Sequence, residues 1–172
     1  MKKILFEKED KKRASKLFIG AIVFCCVMGA FLALAQYGGK EYSMRTVDTA
    51  LETYFIDYNA YPDWEYKSYK HLKVPTFKNT SLTTPIGYLQ LMPTDTFSFD
   101  ESYWYSYYSV NDKEKKICGF IIISPGPDRD YDIDPVKDYH PEDTESVKML
   151  INKRYDSTNG TISSGDLFRV KK

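Results

Sequence analysis

An α+β fold is what this sequence predicts: a long N-terminal helix, transmembrane in its first half, whose second half packs on a small antiparallel β-sheet. Three observations predict it. Residues 17–35, LFIGAIVFCCVMGAFLALA, run without a single charge. Residues 41–59 place Val47, Ala50, Leu51, Tyr54, Phe55 and Tyr58 at spacings of three, four and seven, which is one face of an amphipathic helix. Aromatic and β-branched runs, YWYSYYSV and ICGFIIIS, then gather in the C-terminal half, where they suit a pleated, half-buried sheet.

Taken as a helix rising about 1.5 Å per residue, the apolar run spans roughly 28 Å, close to the hydrocarbon thickness of a bilayer. Lys11, Lys12, Arg13 and Lys16 abut its N-terminal end, and the positive-inside rule keeps that end cytoplasmic. The expected organisation is a cytoplasmic basic N-terminus (1–16), a transmembrane helix (17–36) and an exported globular domain (37–172), with the protein single-pass in an inner membrane and its C-terminal domain periplasmic. A cleaved signal peptide competes with this reading, because Ala33 and Ala35 form a small-x-small site before Gln36. The charges separate in the same sense: residues 1–35 carry seven Lys/Arg against three Asp/Glu, whereas the whole chain is balanced at 24 of each. Zero net charge gives no reason to expect a nucleic-acid partner. Cys25 and Cys26 fall in the apolar run and Cys118 is alone beyond it, so no disulfide framework is expected.

Gly38 and Gly39 loosen the backbone after the apolar run, and Pro62 is expected to end the amphipathic helix. Residues 61–101 are rich in Pro, Thr, Ser and Tyr and read as loop, with at most one short helix near residues 86–91. Strands are expected at 103–110 and 117–124, joined by the polar turn NDKEKK. Asn159-Gly160 is a strong hairpin signal, followed by a last strand near 167–170.

Four stretches in this order resemble the major, G-type pseudopilin of type II secretion systems and, more broadly, the type IV pilin-like family. MRTVDTALETYFIDYNAYP (44–62) looks like the end of its long helix. YLQLMPTDTFS (88–98) is similar to its Tyr-Leu, Leu-Pro, Asp-Pro-aromatic stretch, with Thr96 where Pro is usual. SPGPDRDYDID (124–134) resembles its Gly-Pro-Asp loop, and YDSTNGTISSGDLFRV (155–170) a C-terminal stretch of some members. The resemblance implies a non-enzymatic structural subunit of a type II secretion or type IV pilus-like machine, with the inner membrane, other pseudopilin or secretion-machine subunits and further copies of itself as partners. The apolar run lacks the acidic residue that the family carries five positions into its mature helix. That departure keeps open an alternative: a non-polymerising bitopic accessory or binding module that reuses the same domain.

Asp128, Asp130, Asp132 and Asp134 fall at every second position after a Gly-Pro turn. Carboxylates at alternate positions of a turning loop can converge on a hard divalent cation, which takes six to eight oxygen ligands at about 2.3–2.6 Å. A Ca²⁺-binding EF-hand does not fit, because Ile133 or Pro135 would occupy its glycine position. The family resemblance implies a structural Ca²⁺ in this loop, and all four aspartates are candidate ligands. A solvated acidic loop is the plain alternative. Paired-carboxylate catalysis needs acids from separate elements across a cleft, which consecutive loop aspartates do not announce. His71 and His140 lack metal-ligand spacing, and no nucleophile elbow, zinc-helix or phosphate-loop motif occurs, so no enzyme is expected.

Overall fold

The computed structural model describes residues 21–25, 27–28, 43–69, 72–78, 81–98, 104–160 and 163–172. The chain divides into two compact units, Met1–Gly38 and Gly39–Lys172. Of the first, residues 21–25 and 27–28 are helical, and Ile22, Val23, Phe24, Val27 and Met28 are exposed. The rest of the expected membrane segment lies outside the described residues.

The second unit is α+β, and no long helix occurs among its described residues. Among these the longest helix, α1, covers residues 43–58, about one turn shorter than the roughly 20 residues of a bilayer crossing, and it carries Arg45, Asp48, Glu52 and Asp57. Among the described residues no helix is long and apolar enough to cross a membrane. The expected fold class, a long N-terminal helix on one sheet, is therefore corrected to short helices on two small antiparallel sheets. The expected single-pass inner-membrane localisation is overturned by the same finding. Helix α1 also stops before Pro62: Asn59 turns left-handed (φ 51°) and its N–H caps the Phe55 carbonyl at 2.7 Å.

Two strands form where loop was expected, β1 (Trp64–Tyr69) and β2 (Leu72–Phe77), paired antiparallel with Trp64 opposite Phe77. The larger sheet has the order β3 (Ser106–Asp112), β4 (Ile117–Ser124), β5 (Leu167–Lys171), all antiparallel. Its central strand is buried on both sides, which is why ICGFIIIS reads as a continuous apolar run rather than an alternating one. Register places Tyr107, Ser109, Phe120, Ile122, Arg169 and Lys171 on one face. Helix α1 lies over that face: Arg169 pairs with Asp48 (Nη2 to Oδ2, 2.5 Å) and Lys171 with Glu52 (3.2 Å), while Met44, Val47, Ala50 and Leu51 are buried. Tyr61 bridges the layers, stacked on Phe55 and edge-on to Phe120.

On the other face Ile121, Ile123 and Phe168 pack with Ile133, Tyr139 and Leu150. These come from the segment containing α2 (Pro135–Asp138) and α3 (Thr144–Leu150). Asp134 and Asp143 cap the two helices, each accepting an N–H two residues on. The β1–β2 hairpin docks on β3 through Phe77 stacked on Tyr107, Trp64 edge-on to Tyr108 and the Ser106 hydroxyl donating to the Pro75 carbonyl at 3.0 Å. Asn159-Gly160 does not make a hairpin. A 3₁₀ turn (Ser157–Asn159), capped by Asp156, occupies that position, and β5 pairs with β4 instead.

Candidate metal centre

Strand β4 ends at Ser124, and the chain leaves it through SPGPD. Gly126 has φ 70°, and a Cβ there would lie 2.7 Å from the Gly165 carbonyl oxygen and 3.7 Å from Asp128 Oδ1. Only glycine allows the two chains to approach so closely. Arg129 is also left-handed (φ 63°), and Asp128 Oδ1 accepts the Asp130 N–H at 3.3 Å, so the loop turns on its first aspartate.

The partner of this loop lies thirty-odd residues further on. Asp166 Oδ2 accepts the N–H groups of Asp132 (3.1 Å) and Ile133 (2.8 Å), and Asp132 Oδ2 in return accepts the Gly165 N–H at 2.7 Å. Gly165 itself has φ 114°, and a Cβ would sit 2.7 Å from the Tyr155 nitrogen. The Asp166 backbone closes the turn, donating to Lys153 O at 2.9 Å and accepting from Tyr155 N at 3.0 Å. Ser-Gly-Asp, residues 164–166, is thus a clasp that joins the loop after β4 to the start of β5.

Asp166 is wholly buried, and its second oxygen, Oδ1, has no hydrogen-bond partner; the buried Ser124 hydroxyl lacks one as well. Burial pushes the Asp166 carboxyl up to about 8; the N–H groups of Ile133 and Asp132 pull it down, and the charges of Asp132 and Asp128 raise it further. A buried carboxylate oxygen without a partner costs free energy, and neighbouring carboxylates add to that cost. Such a site can lower its energy by holding a proton or a cation.

Of the four aspartates singled out in the sequence, two belong to this arrangement, Asp128 and Asp132. Asp130 is exposed. Asp134 serves another network: its Oδ1 caps α2 by accepting Val136 N–H at 3.2 Å, and its Oδ2 pairs with Lys137 at 2.7 Å. Partial burial raises its carboxyl, but the bonds from Lys137 and Val136 outweigh this and leave it below the usual range. Its N–H donates to Asp138, which also holds Lys153 at 2.7 Å. Asp166 is the residue that sequence reasoning missed. Nothing local in SSGD (163–166) marks it as the partner of a loop 34 positions earlier.

No family model, curated protein or solved structure matches this chain.

As placed, no three His, Cys, Asp or Glu side chains among the described residues gather closely enough to hold a metal ion. The donor chemistry nonetheless fits a hard cation: Asp128, Asp132 and Asp166 supply carboxylate oxygens, and the Gly165 carbonyl faces Gly126 close to Asp128. His140 is exposed, with Nε2 at 3.0 Å from the Lys137 carbonyl, and His71 lies outside the described residues. Cys118 is half-buried with a free thiol.

Proposed function

We propose that this chain is a pseudopilin-like structural subunit of a type II secretion or type IV pilus-like machine, whose globular unit is closed by a structural Ca²⁺. The reading rests on the four family-like stretches, and one observation carries the calcium part: the buried, unpartnered Asp166 Oδ1 beside Asp128 and Asp132. Asp128, Asp132 and Asp166 would hold the ion, with Asp130 and Asp134 outside the ligand set. A bound Ca²⁺ supplies positive charge that turns carboxylate repulsion into attraction. The chain's own residues do the rest. Gly126 and Gly165 allow the two segments to meet, and Asp132 and Asp166 exchange hydrogen bonds that hold them in register.

A second reading, a non-polymerising accessory that reuses the domain as a binding module, draws support from the missing acidic residue in the apolar run. Crosslinking in the native cells followed by mass spectrometry separates the two. Adducts with other pilin-like subunits, or between copies of the chain, are expected for the first. Adducts confined to proteins outside any secretion or pilus machine would reject it. For the metal, removing calcium with a chelator should lower the melting temperature of the full chain and its return should restore it; an unchanged melting curve would remove calcium from the proposal.

A further inference from the structure

We draw no further inference here: the strongest candidate, the open cleft of about 760 Å³ between the β1–β2 hairpin and α2, carries nothing because its Lys137 and Lys153 are paired with its own Asp134 and Asp138, its Asp132 belongs to the clasp already described, and nothing in the structure shows what would occupy it.

Discussion

Asp166→Asn separates the electrostatic cost of the clasp from its capacity to hold a cation. The wild-type carboxyl is wholly buried, and burial, reinforced by Asp132 and Asp128, pushes it up to about 8 from an ordinary 3.8. Between those values the unfolded chain has released a proton that the folded chain retains. The stability from this group is therefore fully present below about pH 4 and is lost as pH rises toward 8, at up to about 1.4 kcal/mol per unit. By pH 7 the loss is on the order of 4 kcal/mol as an upper bound. An amide has no such proton to lose, and it keeps one oxygen for the Asp132 and Ile133 N–H groups. In chelator, Asp166→Asn is accordingly expected to be the more stable chain at pH 7, with the advantage vanishing near pH 4. Calcium should narrow that gap. At a hundredfold excess over Kd it adds about 2.7 kcal/mol to the wild type, or about 5–10 °C in Tm for a chain of this size, and the variant should gain less than half of that. Thermal unfolding of both full-length chains followed by circular dichroism, from pH 4 to 8 with chelator or calcium, reads all of this. A difference between the two chains that does not change with pH in chelator refutes the electrostatic reasoning. Equal gains from calcium refute Asp166 as a ligand.

Three further perturbations test the frame around the clasp. Leu51→Ala empties a wholly buried position between α1 and the sheet and should cost about 2–5 kcal/mol, read as a lower chemical-denaturation midpoint with an unchanged slope. Gly165→Ala places a Cβ against Tyr155 N at 2.7 Å on a backbone with φ 114°, and should destabilise by more than about 2 kcal/mol in thermal unfolding. Arg169→Ala leaves Asp48 partly buried without its cation and should cost about 1–2 kcal/mol, with a double-mutant cycle against Asp48→Asn giving a coupling above roughly 0.5 kcal/mol.

How much of this was legible in the sequence depended on whether the determining contact was local. The ICGFIIIS run and the last strand near 167–170 reported their own burial, and the three-four spacing of Val47, Ala50 and Leu51 marked the buried face of α1. The β1–β2 hairpin had a readable signal too, the alternation of aromatic and polar residues in WEYKSY. Pro75 inside its partner strand argued against it. Pro75 is tolerated where β2 meets β3 through side chains, its carbonyl accepting the Ser106 hydroxyl. Asn159-Gly160 misled in the opposite direction, because Asp156 caps a 3₁₀ turn there and Gly165 sets the reversal into β5. The expected membrane helix, residues 17–36, rested on the apolar run alone, and most of that run lies outside the described residues. At the clasp, Asp128 and Asp132 were found from spacing. Asp134 shared that spacing but pairs with Lys137, and Asp130 shared it without the Gly165 bond that ties Asp132 to the clasp, since a loop containing left-handed Gly126 and Arg129 does not keep strand alternation. Asp166 enters only through tertiary contact.

The central claim is that Asp128, Asp132 and Asp166 together form a cation site. Isothermal titration of the chelator-stripped full chain with calcium at pH 7, repeated in buffers of different ionisation heat, tests it most directly. One site is expected, with a proton released on binding because the Asp166 carboxyl must ionise, and with the heat lost in Asp166→Asn. A titration that stays flat through millimolar calcium, or that survives unchanged in Asp166→Asn, would contradict it.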